Sequence, residues 1–309
     1  MKTLFKKSII ALAALVSLMT ATSCEHYLDM ATNSGQSKEY IFEDYSRAAR
    51  YMDMLYYYML PGWVMDGKFQ GYYGMLESAT DMSEYTANYG VTNLAFNVGD
   101  WYHSSASSEV AVWSRCYNQI RRAWMFLEHC DEFNNEPEGR KPMMKGECHF
   151  MLAYYYFELY RRYGGVPLVT KVLNLDDNYK IPRSPEDSIM TFICSELDEA
   201  EKLVPDVWPS DEYGRVDKAW CKALRSRALL YAASPLHNPD NNLDKWKKAA
   251  DAAKDCIQFC QNGGKYALNA DYQKIFMTYF PNQIPEIIVF KRGGTYAHTF
   301  NSKPMNYEQ

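Results

Sequence analysis

Residues 146–169 read GECHFMLAYYYFELYRRYGGVPLV, and the fold turns on them. Apolar residues fall at Met144, Cys148, Met151, Leu152, Tyr155 and Leu159, the three-and-four spacing of a helix with one buried stripe. Tyr154, Tyr155, Tyr156 and Phe157 then cover most of the circumference, so the second half packs on both sides. Pro142 suits the first turn, where a missing N–H costs nothing. Gly164 and Gly165 stop the helix, and Val166-Pro167 leads out extended because the residue before a proline avoids the helical region. This is a central helix with neighbours all round.

Working outward, the same spacing predicts a helix over 38–59, with Phe42, Tyr45, Ala49, Met52, Tyr56 and Met59 on one face. A second covers 109–133, with Trp113, Cys116, Ile120, Trp124 and Leu127 in register. Beyond the central helix, Arg183-Ser184-Pro185-Glu186-Asp187 reads as a helix start, with a serine cap, proline at the first position and acids in the first turn. Ile189, Phe192, Ile193, Leu197, Ala200 and Val204 form its face, and Pro205 ends it. Another helix covers 217–233 and stops at Ser234-Pro235. The last covers 243–261, with Trp246, Ala250, Ala253, Ile257 and Cys260 as its face and a stop at Gly263-Gly264. Residues 287–290 are a short β-branched run and the one expected strand. Antiparallel helix pairs with small residues at their contacts resemble tetratricopeptide repeats, with an irregular helical bundle as the alternative. Residues 62–108 show little periodicity and carry Gly67, Gly71, Gly74, Gly90 and Gly99. So long an irregular stretch tends to carry function, and a short helical turn is expected within it at 75–81.

The totals set outer bounds. The chain has 309 residues, 47% hydrophobic and 23% charged, ordinary for a folded globular protein. Its net charge is −5 and it has no long basic run, which disfavours nucleic acid as a partner. The 26 tyrosines and 7 tryptophans supply flat amphipathic faces suited to core packing and to ligand stacking.

Residues 1–23 read as a targeting segment. Lys2, Lys6 and Lys7 make a basic start, and residues 9–19 are an apolar run too short to cross a bilayer comfortably. Ala21-Thr22-Ser23 then leads directly into Cys24. This looks like a lipoprotein signal, with Cys24 becoming the acylated first residue; an ordinary signal peptide with a cysteine at the cut is the alternative. Several acyl chains on one residue would anchor the protein firmly. Residues 24–37 then form a tether, and 38–309 the folded domain. The other seven cysteines of the eight are odd in number and lie mostly on apolar helix stripes, so they read as buried thiols. Cys256 and Cys260 share a helical face, but no nearby His or Cys completes a set of four metal ligands.

Several stretches resemble landmarks of the SusD/RagB family of outer-membrane nutrient-binding lipoproteins, in that family's order. They are Cys24-Glu25-His26-Tyr27-Leu28-Asp29, then Leu76 through Asp81 (LESATD), and the Trp113 helix. Tyr154 through Pro167 follows, then Arg183 through Asp187, and Gly214 through Ala219 leading to Leu230-Tyr231-Ala232-Ala233-Ser234-Pro235. Trp246 through Ala253 and Glu286 through Phe290 complete them. The resemblance spans nearly the whole chain and implies a mainly α, SusD-like helical fold with tetratricopeptide-like pairs, long irregular loops and minor β structure. Family members usually continue further, so the chain is expected to be truncated, with part of the binding surface missing.

No catalytic signature is present: H-E-x-x-H, G-x-S-x-G, a P-loop and a dinucleotide glycine pattern are all absent. The six histidines are scattered, and neither a metal nor another cofactor is expected. Glu77 and Asp81 sit four apart and suit a solvated helix face better than a catalytic carboxylate pair. Asn238, Asp240, Asn242 and Asp244 alternate like the start of a calcium loop, but the central glycine and closing glutamate are missing; a helix-start loop fits better.

What remains is binding. A saccharide is held by aromatic planes against its C–H faces and by fixed amides and carboxylates against its hydroxyls. Residues 89–103 carry that mixture in Tyr89, Asn93, Asn97, Asp100, Trp101, Tyr102 and His103. The resemblance implies that this loop contributes glycan contacts; the competing role for Trp101 is to plug the core. Tyr296 and His298, in the loop at 293–298, form a second candidate, and Trp63 a third that suits packing. The resemblance further implies a non-enzymatic receptor on the cell surface, lipid-anchored in the outer membrane. It would pass oligosaccharides to a SusC-like TonB-dependent β-barrel transporter, over which it acts as a hinged lid. Some relatives take peptides instead. A helical-repeat scaffold that binds a protein, and a surface glycoside hydrolase that releases reducing ends, are the readings from other classes.

Overall fold

The computed structural model describes residues 37–59, 79–81, 83–84, 98–100, 111–209, 212–263, 265–278 and 284–289. Within them the chain is mainly helical: α1 (Lys38–Phe42), α2 (Tyr45–Tyr57), α3 (Trp113–His129), α4 (Arg140–Tyr163), α5 (Glu186–Leu203), α6 (Lys218–Ala233), α7 (Leu243–Gly263) and α8 (Tyr272–Met277). Among the described residues the β structure is a pair of two-residue strands, β1 (Ala79–Thr80) and β2 (Ser83–Glu84), paired antiparallel, and an isolated parallel bridge between Asp44 and Asn134. The helices pack as successive neighbours: α3 on α4, α4 on α5, α5 on α6 and α6 on α7. None of them is long and apolar enough to cross a membrane.

The central helix is α4. Every residue from Phe150 to Tyr160 is buried, because α3, α5, α6 and α2 all rest against it. Burying one such aromatic is worth about 1.5–3 kcal/mol, provided its hydroxyl finds a partner. Tyr155 and Tyr156 meet that condition with backbone carbonyls of neighbouring elements. The Tyr155 hydroxyl donates to Leu55 O at 2.6 Å, in the last turn of α2. The Tyr156 hydroxyl donates to Val169 O at 2.9 Å and accepts from Val169 N at 2.8 Å.

The exit from α4 is held by the same logic. Tyr117 of α3 donates to Pro167 O at 2.7 Å, Trp124 Nε1 to Val169 O at 3.0 Å, and Arg121 to Leu173 O at 2.7 Å. Val172 N in turn donates to Glu128 at 2.9 Å. Four side chains of α3 (Tyr117, Arg121, Trp124 and Glu128) thus each bind one peptide group of the extended segment after α4. Gly164 takes a positive φ of 64°, as the helix stop requires. Gly165 lies so close to the start of α5 that an added Cβ would stand 2.4 Å from Ser184 O.

Local chemistry moves several boundaries from where spacing alone puts them. The expected helix over 38–59 is two helices, because Asp44 leaves the helical region and caps α2, accepting from Arg47 N at 3.2 Å. Its buried face is Ala48, Met52 and Leu55; Tyr45, Ala49 and Tyr56 are half-buried. The helical turn expected at 75–81 is contradicted at its described end, where Ala79 and Thr80 pair with Glu84 and Ser83. Ser184 does not cap α5: the residue at the cap is Pro185, whose carbonyl accepts from Ser188 and Ile189 N–H. The strand expected at 287–290 is irregular in its described part, 287–289, and follows a turn at 285–286 closed by Ile287 N donating to Ile284 O. On α7 the buried positions are Ala249 and Cys256, while Trp246, Ala250 and Ile257 are exposed. The face is offset because α7 meets only α6 among the described helices, and Trp246 turns back to donate to Asn241 at 2.9 Å.

The close approach at Gly165 has a direct consequence. Gly165→Ala is expected to cost about 3 kcal/mol, the upper range for overpacking, since a backbone oxygen must move. Gly164→Ala, whose added Cβ would meet the movable Glu186 carboxylate, is expected to cost about 1–2 kcal/mol from the left-handed backbone alone. Urea midpoints of the two variants measure this; equal midpoints would mean that the α4–α5 junction yields freely.

Candidate ligand-binding surface

Two buried polar centres lie on α4, one in each half. At the first half, Glu147 is fully buried. Its Oε2 accepts from the Tyr56 hydroxyl at 2.5 Å and from Arg215 at 3.1 Å. Its Oε1 faces the Arg140 guanidinium at 2.9 Å as an ion pair, although the alignment does not make a hydrogen bond. Arg140 is a cation at a helix N-terminus, where the dipole disfavours it; Glu147 and the face of Trp208, 4.9 Å away, offset that. The Tyr56 hydroxyl also accepts from Val216 N at 3.0 Å. Glu147 therefore ties α2, α4 and the segment before α6 together.

At the second half, buried Glu158 takes Arg161 at 2.7 Å and Arg162 on the same oxygen, Oε2. Arg161 and Arg227 each place a guanidinium 5.9 Å from the Phe157 ring, and Arg227 lies 6.0 Å from the Tyr231 ring. Phe157 and Tyr231 meet edge to face at 5.3 Å. Trp113, where the chain enters α3, packs edge to face on Tyr163 at 5.2 Å, with Arg183 over it at 5.4 Å. The chain thus leaves α2 beside Tyr155 and enters α3 beside Tyr163, both on the aromatic half of α4.

Of the expected ligand contacts, Tyr89, Asn93, Asn97, Trp101, Tyr102, Tyr296 and His298 lie outside the described residues, as do His103, Trp63 and Cys24. Asp100 is described: it is exposed and follows a turn at Val98-Gly99 in which Gly99 has φ 72°. Asp81 sits in the turn between β1 and β2, not on a helix, and Glu77 lies outside the described residues. The calcium-like alternation is a loop clip: Asn238 donates to Ala233 O and Asn242 O and accepts from Asn242 N at 2.8 Å. Among the described residues no group of three His, Cys, Asp or Glu side chains is placed to hold a metal. The cysteines are buried or half-buried and free, and burial pushes the Cys116 and Cys256 thiols up to about 12. The arginine–tyrosine grouping at Phe157 was not anticipated; spacing of four between Arg227 and Tyr231 marks a shared face of α6, but nothing in the sequence places that face on α4.

The sequence matches the SusD-like family described as starch-binding and associating with the outer membrane, over residues 27–230. The chain is a member of this SusD-like family. Two SusD-like proteins of Formosa agariphila are similar: one is 34% identical over 31% of this chain and 19% of its own length, the other 26% identical over 43% and 27%. A SusD-like protein of Bacteroides fragilis superposes with a TM-score of 0.56 at 23% identity, covering 81% of this chain and 44% of that one. A laminarin-binding SusD-like protein superposes with a TM-score of 0.59 at 20% identity, covering 76% of this chain and 48% of that one. The chain spans less than half the length of these relatives, and the superpositions establish the helical fold.

The buried Glu147 centre carries a pH signature. Burial pushes its carboxyl above the ordinary value of 4.5, against the opposing charges of Arg140 and Arg215 and hydrogen bonds from Tyr56 and Arg215. The folded chain therefore holds this proton to higher pH than the unfolded chain. The group's contribution to stability is complete below the unfolded value and is lost as pH rises through the folded one. Urea unfolding of Glu147→Gln across pH 4 to 7, a window set about that value, is expected to show a flatter decline above pH 4.5 than the parent; unchanged slopes would discard this assignment.

Proposed function

We propose that the protein is a cell-surface glycan-binding receptor, without enzymatic activity, that serves uptake across the outer membrane. The observation that carries this reading is the family match over residues 27–230, a family described as starch-binding and associating with the outer membrane. Residues 1–23 act as a lipoprotein signal, Cys24 carries the anchor, residues 24–37 form a tether and 38–309 the folded domain. Bound oligosaccharide is passed to a SusC-like TonB-dependent transporter, and no cofactor takes part.

In this reading the ligand contacts are Tyr89, Asn93, Asn97, Asp100, Trp101 and Tyr102, with Tyr296 and His298 as a second group. Two contacts among the described residues flank, in sequence, the stretch holding the first group: Leu55 of α2 meets Tyr155, and Trp113 of α3 meets Tyr163, both on α4.

The test is calorimetric titration of the protein from Glu25 onward against neutral polysaccharides, acidic polysaccharides and peptides, with Trp101→Ala beside it. Binding to a glycan class, weakened about tenfold or more in the variant at an unchanged unfolding midpoint, is the expected outcome. Binding of peptides alone would overturn the glycan assignment. A lowered midpoint with unchanged affinity would place Trp101 in the core and remove it from the site.

A further inference from the structure

We propose that the surface formed by Arg227, Arg161 and Tyr231, between α6 and the second half of α4, is a subsite for the acid group of a charged glycan. The proposal rests on the glycan-receptor reading and narrows its substrate class to sugars bearing a carboxylate or a sulfate ester.

The argument begins with the charges of α6. Its basic side chains are Lys218, Lys222, Arg225 and Arg227. Lys218 pairs with Asp206 at 2.6 Å, Lys222 with Asp255 at 2.6 Å and Glu201 at 3.3 Å, and Arg225 with Asp198 at 2.7 Å and Glu201 at 3.1 Å. Arg227 has no such partner among the described residues. It is exposed, lies against the rings of Phe157 and Tyr231 and hydrogen-bonds the Tyr231 side chain. The neighbouring cations do not supply an anion for it. Arg161 and Arg162 share one carboxylate, Glu158, on one oxygen. Arg161 and Arg162 thus take one carboxylate between them, while Arg227, against the same Phe157 ring as Arg161, takes none among the described residues, in a chain whose net charge is −5.

Helix-end chemistry accounts for part of this cluster and leaves Arg227 outside it. Arg162 donates to Glu158 O at 3.1 Å, and Arg183 donates to Tyr163 O and Gly165 O. These are the cations a helix C-terminus attracts. Arg227 lies inside α6, six residues before its end at Ala233, so the macrodipole has no hold on it.

The chemistry of the surface fits an oxyanion on a sugar. A guanidinium presents a planar fork of N–H donors that matches a carboxylate or sulfate. Contact with an aromatic face holds that plane, and the hydrogen bond to Tyr231 leaves further N–H donors of the five for a ligand. Tyr231 is half-buried and adds a ring edge and a hydroxyl beside the fork, the pairing that a sugar ring with an acid substituent requires. The local potential agrees. Burial pushes the Tyr231 phenol up, yet hydrogen bonding and charge from Arg227 and Arg161 more than offset it and hold the phenol below the ordinary tyrosine value. A site that loosens a phenol's proton also favours a bound anion.

The experiment titrates the full chain and its Arg227→Gln and Arg227→Lys variants with polygalacturonate for the carboxylate, dextran sulfate for the sulfate, and dextran and laminarin as neutral controls. Each titration is made at two salt concentrations, with unfolding midpoints measured alongside. The expected result is binding of at least one acidic polymer, weakened about tenfold by Arg227→Gln and less by Arg227→Lys, with binding reduced by salt and midpoints unchanged. Which polymer responds separates carboxylate from sulfate. Binding of a neutral glucan without either acidic polymer would overturn this proposal and leave the glycan reading standing. Binding of no glycan at all would overturn both. Equal affinity of Arg227→Gln and the parent, or an equal loss of neutral and acidic ligands, would also overturn it.

Discussion

The structure depends on burying the second half of α4 with the Tyr155 and Tyr156 hydroxyls paired. Tyr154 through Tyr160 are all inside, which no helix achieves unless other elements cover every side. A phenol brought out of water without a partner forfeits much of what its ring gains. Here the carbonyls of Leu55 and Val169 serve Tyr155 and Tyr156, so the positions of α2 and of the exit segment follow from the need to pair those groups. The surrounding helices are cover for α4 and, through their backbones, its hydrogen-bond partners.

The ionic groups extend this arrangement. Glu147 and Glu158 stand on the same helix, eleven residues apart, each buried and each joined to arginines. A buried pair recovers little net stability, but removing one member strands the other. Such a centre therefore specifies which elements meet more than it stabilises them. Glu147 selects Arg215 and, through Tyr56, the α2 helix. Asp217 does the same further on: it caps α6 at Trp220 N and accepts from Lys265 at 2.6 Å and Tyr266 at 2.8 Å, which ties the segment after α7 back to the start of α6.

The second half of α4 is the common base of this frame. The described residues that flank 60–110 meet it, Leu55 of α2 at Tyr155 and Trp113 of α3 at Tyr163. Arg227 of α6 lies against the same half, at Phe157.

Spacing along the chain determined the helical class, the central position of α4 and most helix ends. These are local properties: a 3.6-residue period, a glycine at positive φ after Tyr163, a proline after Val204 and an aspartate cap at Asp217 all act within a few residues. Local reading failed where two local signals competed, as at Asp44, which caps within an otherwise continuous stripe, and at Ser184, where the next residue holds the cap position. It failed for a different reason on α7, where the stripe through Trp246 and Ile257 stays exposed because burial depends on the neighbour's surface. The charged centres were beyond it altogether. Tyr56 and Glu147 are 91 residues apart, and Arg215 and Glu147 are 68, and no periodicity encodes which arginine meets which carboxylate. Only packing in three dimensions decided that Arg225 would find an acid and Arg227 an aromatic face, since Coulomb attraction and desolvation act through space and not along the chain.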